Sequence, residues 1–153
     1  MQLVKRLGKK AVPVVQQACS GGGFNCTANL TVTIAPDGNG YEALLVNHPT
    51  GVVNMRSNPY LPPVNVTVHF KGKVPASVAV RRVDATHGNA LPVYEAMGRP
   101  QYPNASAIAA LKAASMILVQ EHDPVPTAGG GGWSIMLEMP IYSVASLSFS
   151  RQQ

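Results

Sequence analysis

The chain has 153 residues, of which 46% are hydrophobic and 12% are charged, with a formal net charge of +5 and a pI near 9.5. This is the length of one ordinary domain with enough apolar residues for a core, although the charged fraction is about half of the roughly 25% usual in soluble proteins. The basic residues are not interleaved with stacking aromatics and no apolar run approaches ~20 residues, so we expect neither a nucleic-acid partner nor a membrane span.

The first eight residues, Met1–Gly8, have the pattern of a helix end in which Gly8 is the C-cap. The apolar residues on one side of this helix are Leu3, Val4 and Leu7. Because exposed apolar surface usually marks an interface, we expect these side chains to contact another domain. We therefore interpret residues 1–10 as the end of a preceding helix or a linker, and residues 11–153 as a single domain.

Two cysteines flank a short segment that follows. Cys19 and Cys26 bracket the glycine-rich stretch Ser20–Asn25, which is flexible enough to bring the two sulfurs together. In an oxidising compartment we expect a small disulfide between them, and a pair of free thiols is the alternative. Two cysteines without further His or Cys partners cannot fill a tetrahedral site, so no metal is expected.

Short strand-like segments separated by turns make up most of the chain. The predicted strands are Val12–Gln17, Ala28–Ala35, Tyr41–Asn47, Val64–Lys71, Ser77–Asp84, Trp133–Met139 and Tyr142–Ser150. Asp37–Gly40 is a strong hairpin turn between two of them. Seven to eight such strands predict a mainly β fold, an antiparallel β-sandwich. Trp133 is interpreted as a core or interdomain residue rather than as a platform for a sugar.

One helix is predicted within this β pattern, near residues 104–119. Ile108, Leu111 and Leu118 are spaced as on one side of a helix. Asn104 or Ser106 is the candidate N-cap. A glycan on Asn104 would compete with capping, so these two interpretations of Asn104 partly exclude each other.

Four of the nine asparagines lie in Asn-x-Ser/Thr glycosylation motifs, where chance would give about one. They are Asn25, Asn29, Asn65 and Asn104. Strand alternation puts Asn29 and Asn65 on polar faces, away from the core. We therefore expect N-linked glycans, passage through the secretory pathway and an extracellular or lysosomal location. Because the apolar stretch Ala11–Val15 is too short for a signal peptide, we expect the signal upstream, in a longer precursor.

The acidic residues and histidines do not form a recognisable catalytic set. Asp84 and Glu95 would approach each other across a loop, but a loop-bracing role for Asp84 and a surface position for Glu95 explain them better than a pair of carboxylates flanking a sugar. The tight turn predicted in this loop has positive φ at Gly88 or Asn89. A position at the rim of a substrate cleft is the alternative for this turn, above all for His87.

Motifs spread over most of the chain carry a family resemblance. They are Met1–Gly8, Val80–Asp84, His87–Asn89, Met97–Pro100, Tyr102–Pro103, Ile108–Ser115, Ile135–Pro140, Ser143–Val144 and Leu147–Phe149. Together they resemble the C-terminal β-sandwich of family 39 glycoside hydrolases, which include β-xylosidases and α-L-iduronidase, and Met1–Gly8 looks like the end of the last barrel helix. The resemblance implies that the catalytic glutamates lie on a barrel absent from this chain, and that the chain has no catalytic residue and no cofactor.

We therefore expect a non-catalytic accessory domain of a secreted or lysosomal glycoside hydrolase, in contact with the catalytic barrel of the same precursor. One alternative is a secreted structural or adhesive glycoprotein that forms homo-oligomers. Another is a carbohydrate-binding module, which would need a row of surface aromatics, whereas most aromatic residues here fall at core positions.

Overall fold

The computed structural model describes residues 7–12, 28–48 and 63–150, which form nine strands and two helices. The strands are β1 (Ala11–Val12), β2 (Ala28–Ile34), β3 (Gly40–Asn47), β4 (Val64–Lys71), β5 (Val78–Val83), β6 (Val119–His122), β7 (Val125–Pro126), β8 (Gly132–Met139) and β9 (Ser143–Ser150). The helices are α1 (Leu91–Ala96) and α2 (Ala105–Ala114), and both lie between β5 and β6 in the chain.

The described strands form two antiparallel sheets. The larger sheet has the order β1-β2-β3-β9-β5-β6, and the smaller has the order β4-β8-β7. The predicted hairpin turn joins β2 to β3, with Asp37 Oδ1 accepting a hydrogen bond from the backbone nitrogen of Asn39 at 3.0 Å. The prediction of a mainly β, antiparallel fold with an inserted helix is confirmed.

One hydrophobic core lies between the two sheets. The larger sheet contributes Val32, Ala43, Leu45, Val78, Val80, Ala145 and Leu147, and the smaller contributes Val66, Val68, Trp133, Ile135, Leu137 and Met139. Trp133 is 2% exposed, stacks on Phe70 with ring centroids 4.3 Å apart, and meets Phe149 edge-on at 4.9 Å. Trp133 is therefore a core residue and not a surface platform for a sugar.

Several elements between β5 and β8 differ from the sequence prediction. The predicted helix near 104–119 ends at Ala114, and Val119 begins β6 instead. Val119 pairs with Arg81 of β5, so backbone pairing at the sheet edge overrides the helical spacing of the apolar residues. α1, β6 and β7 were not predicted, because they have only six, four and two residues, too few to establish a hydrophobic period.

The residues just before β1 lie against β2. The backbone nitrogen of Gly8 donates to Thr33 Oγ1 at 2.9 Å, and a Cβ on Gly8 would collide with the carbonyl oxygen of Ile34. Gly8 is not in the left-handed region, and the helix that it was expected to cap lies outside the described residues, so its role as a C-cap stays a prediction. The interdomain contacts expected near the chain start stay a prediction, since among Leu3, Val4 and Leu7 only Leu7 is described, and it is half-buried.

Candidate functional site

The segment between β5 and β6, residues 84–118, carries both described helices, and we call it the helical insertion. Neither α1 nor α2 contains a buried residue. The large apolar side chains that it exposes, by 42% to 86%, are Leu91, Tyr102, Ile108, Met116 and Leu118. A helix that packs only within its own domain normally buries an apolar stripe, so this surface is typical of a contact site for another protein surface.

The helical insertion starts from a buried carboxylate, Asp84, whose side chain is 1% exposed. Its Oδ1 accepts hydrogen bonds from the backbone nitrogens of Thr86 and His87 at 2.8 and 2.9 Å, and from Thr86 Oγ1 at 3.0 Å. His87 Nδ1 lies 2.9 Å from Oδ1, and Arg82 Nη2 lies 3.0 Å from Oδ2. Arg82 Nη2 also donates to the carbonyl oxygen of Glu138 in β8 at 2.8 Å. This cluster ties the base of the insertion to both sheets.

These contacts determine the charge of Asp84. Burial raises the pKa of Asp84, but hydrogen bonds from the Thr86 backbone and from the His87 side chain outweigh it and lower the pKa from 3.8 to about 2. A carboxylate that stays ionised to such a low pH is a poor general acid or base near neutral pH. Asp84 therefore braces the loop and is not a candidate for proton transfer.

The turn that follows is held by a glycine in the left-handed region. Gly88 has φ 59°, as predicted for this turn, whereas Asn89 is outside the left-handed region. A Cβ on Gly88 would lie 3.3 Å from both the carbonyl oxygen of Arg82 and Cγ1 of Ile117. Asn89 Oδ1 accepts a hydrogen bond from the backbone nitrogen of Leu91 at 2.9 Å, which positions the start of α1.

The other titratable residues considered from the sequence do not converge on a site. Glu95 forms an ion pair with Arg99 on the surface, whereas Asp84 has the separate partners given above. The histidines lie on different elements, at His48, His69, His87 and His122. Among the described residues, no group of three or more His, Cys, Asp or Glu side chains is placed to hold a metal ion.

No helix in the described ranges is long and apolar enough to cross a membrane.

Three of the four glycosylation motifs fall within the described residues. Their exposed acceptors are Asn29, Asn65 and Asn104. Asn104 is the N-cap of α2, with Oδ1 accepting from the backbone nitrogen of Ala107 at 2.9 Å. Since capping uses Oδ1 and a glycan is attached to the amide nitrogen, the two roles of Asn104 do not exclude each other, which corrects the sequence-based expectation. Glycan attachment and the disulfide stay predictions, and Cys19, Asn25 and Cys26 lie outside the described residues.

Solved structures of glycoside hydrolases share this fold. The GH39 enzyme from Xanthomonas axonopodis pv. citri matches 81% of the chain at 15% identity, with a TM-score of 0.57. The bacterial orthologue of human α-L-iduronidase matches 83% of the chain at 20% identity, with a TM-score of 0.59. The chain has the fold of part of a GH39 enzyme. The predicted resemblance to family 39 is therefore confirmed at the level of the fold.

The chain spans about a quarter of the length of these enzymes. The match covers 26% of the Xanthomonas GH39 enzyme and 22% of the iduronidase orthologue. No protein-family model and no curated protein sequence matches the chain. The GH39 likeness therefore concerns one domain-sized part of each larger enzyme.

Two features of this GH39-like fold were not predicted from the sequence. The bridging role of Arg82 was missed, although Arg82 and Asp84 stand two residues apart, a spacing that puts both side chains on one side of an extended strand. The exposed apolar surface of the helical insertion was also missed. The spacing of Leu118 predicts a place on the apolar side of a continuous helix, and the sequence alone does not distinguish an exposed apolar residue from a buried one.

Proposed function

We propose that this chain is a non-catalytic accessory domain of a secreted or lysosomal glycoside hydrolase of the family 39 type. The observation that carries the proposal is the shared fold, which spans most of this chain but only 26% and 22% of the matched enzymes. In the proposed parent protein, a catalytic barrel of the same precursor cleaves the glycosidic bond with two carboxylates by the retaining route. This domain stabilises the barrel through a fixed contact.

The helical insertion is the proposed contact with the barrel. Met116 and Leu118 are 62% and 70% exposed and lie at the return from α2 to the sheet. The Asp84 cluster ties the start of this segment to both sheets, and Gly88 lies close to Ile117, which stands between Met116 and Leu118. Full burial of each such side chain against a partner contributes roughly 1.5–3 kcal/mol.

The outer face of the smaller sheet is the less suitable surface for that contact. Asn65, Thr67 and His69 are exposed along β4, and Asn65 pairs with the exposed Glu138 of β8. A glycan on Asn65 would project from this face near the start of the edge strand β4 and keep that part of the face in solvent. The glycan on Asn65 and the proposed barrel contact therefore occupy different surfaces of the domain.

Passage through the secretory pathway is part of the proposal. It is supported by the excess of glycosylation motifs and by the exposure of the Asn29 and Asn65 side chains. Glycopeptide mass spectrometry of the natural protein tests it directly. We expect glycans on Asn29 and Asn65, and an intact disulfide in the peptide that contains Cys19 and Cys26; unmodified acceptors throughout would contradict it.

The non-catalytic role is tested by incubating the purified 153-residue chain with a panel of aryl glycosides that includes β-xylosides and α-L-iduronides. We expect no release of aglycone above the rate with heat-denatured chain. Hydrolysis that requires the folded chain and disappears when an acidic residue is replaced by its amide would contradict the proposal.

The contact surface is tested by lysine cross-linking of the natural protein. Lys112 is exposed on α2, and Lys71 is an exposed control at the end of β4. We expect Lys112 to cross-link to peptides from outside residues 1–153 and Lys71 to give only links within them. External links from Lys71 alone would contradict the assignment of the contact to the helical insertion.

A further inference from the structure

A groove of about 560 Å³ lies between the loop before α2 and the first turns of that helix. Its lining includes Met97, Pro100, Tyr102 and Asn104. The ring of Tyr102 is 86% exposed, so it has almost no packing partner although it is a large aromatic side chain. The groove therefore combines an uncovered aromatic ring with a glycosylation acceptor two residues later in the chain.

The side chain of Asn104 is arranged so that a sugar can be attached without loss of the helix cap. Its Oδ1 accepts from the backbone nitrogen of Ala107 at 2.9 Å and from Ser106 Oγ at 2.8 Å. The amide nitrogen, which carries the sugar in an Asn-x-Ser motif, takes no part in these bonds. Modification of this nitrogen therefore leaves both hydrogen bonds to Oδ1 in place.

We propose that Asn104 carries an N-linked glycan whose first N-acetylglucosamine packs in this groove against the ring of Tyr102. One face of a pyranose ring presents C–H groups, and covering an exposed aromatic face with it removes apolar area from water. The inference rests on the proposed passage through the secretory pathway. Asn104 alone among the four acceptors has an aromatic residue two positions earlier; the others follow Gly23, Thr27 and Pro63 at that spacing.

The test is a double-mutant cycle on the full chain, expressed in a eukaryotic secretory host. Ser106→Ala abolishes the motif and keeps Asn104 as the cap, and Tyr102→Ala removes the ring. We expect glycan occupancy at Asn104. With Ser106 present, we expect Tyr102→Ala to lower Tm by about 2–4 °C, which corresponds to a decrease of about 1 kcal/mol in the free energy of unfolding of a domain of this size. In the Ser106→Ala background the same change should alter Tm by less than about 1 °C.

Two further measurements make the outcome decisive. Trimming the glycan to its first N-acetylglucosamine should preserve the Tm difference, because only that sugar contacts Tyr102. Equal Tm losses in the two backgrounds would overturn the packing. Occupancy at Asn29 or Asn65 with Asn104 unmodified would overturn this inference and leave the secretory proposal standing, whereas no glycan on any acceptor would contradict both.

Discussion

The guanidinium of Arg82 lies 3.0 Å from the carboxylate of Asp84 and donates a hydrogen bond to the carbonyl oxygen of Glu138 in the other sheet. The Asp84 side chain is 1% exposed and that of Arg82 is 16% exposed, so this pair is largely shielded from water. The last residues of β5 therefore join the two sheets and anchor the helical insertion at the same point. A domain that presents a contact surface on an otherwise weakly packed segment needs such an anchor.

Replacing Asp84 with Asn should destabilise the domain by about 3 kcal/mol, because it leaves the largely buried Arg82 without its counter-charge. The matched control is Asp37→Asn, which changes an exposed carboxylate in the β2–β3 turn and should cost less than about 1 kcal/mol. Urea unfolding of the three proteins at pH 7 provides the comparison. Equal decreases in the free energy of unfolding for the two variants would contradict the anchoring role of the Arg82–Asp84 pair.

The pH dependence of stability follows from the same carboxylate. The pKa of Asp84 is about 2 in the folded chain, compared with 3.8 as its ordinary value. As the pH falls, Asp84 is therefore protonated in the unfolded chain before it is protonated in the folded chain. The resulting stabilisation, about 2 kcal/mol, is fully present above pH ~5 and is lost as the pH falls through 4 towards 2. The difference in unfolding free energy between wild type and Asp84→Asn should therefore narrow by about this amount between pH 6 and pH 2. A constant difference would contradict the lowered pKa.

Gly88→Ala should destabilise the turn at the base of the helical insertion by about 1–2 kcal/mol, because φ is 59° and the new Cβ would crowd the carbonyl oxygen of Arg82. Gly131→Ala is the control, since no atom outside its two chain neighbours lies within 4 Å of its Cβ position and its φ is not left-handed. Gly131→Ala should be close to neutral in thermal unfolding. If Gly88→Ala lowered Tm no more than Gly131→Ala does, the turn would tolerate a side chain.

Leu118→Asp should affect the parent protein far more than the isolated domain. Leu118 is 70% exposed, so in the 153-residue chain the substitution should change the unfolding free energy by less than about 0.5 kcal/mol. In the full-length parent it should cost roughly 2–3 kcal/mol, because the side chain would be buried against the barrel. Met136→Asp, at a 65% exposed position on β8, should cost up to about 1 kcal/mol because Asp is disfavoured in a strand, and it should cost the same in both proteins. Neutrality of Leu118→Asp in the parent would remove this residue from the interface.

Among the long strands, β4 was the most predictable from the sequence because it is amphipathic with a period of two. The bounds of β4, Val64–Lys71, coincide with the prediction, and its buried residues alternate with exposed ones. The boundary between α2 and β6 could not be predicted, because Leu118 and Val119 fit either a helix or a strand until pairing with β5 decides between them. The turn at Gly88 was predictable from glycine's freedom at positive φ. The uncovered surface of the helical insertion was not, because burial depends on neighbours that are distant in the chain.

The most direct test of the account is to isolate the natural protein with an antibody against residues 84–118 and to measure its intact mass and its glycosidase activity together. A catalytic barrel of roughly 250 residues would add about 27 kDa to the 16.1 kDa of this chain. We expect a polypeptide at least that large, with aryl-glycosidase activity in the same fraction. A polypeptide of about 16 kDa plus glycans, with no such activity in the fraction, would contradict the proposal that this domain serves a glycoside hydrolase.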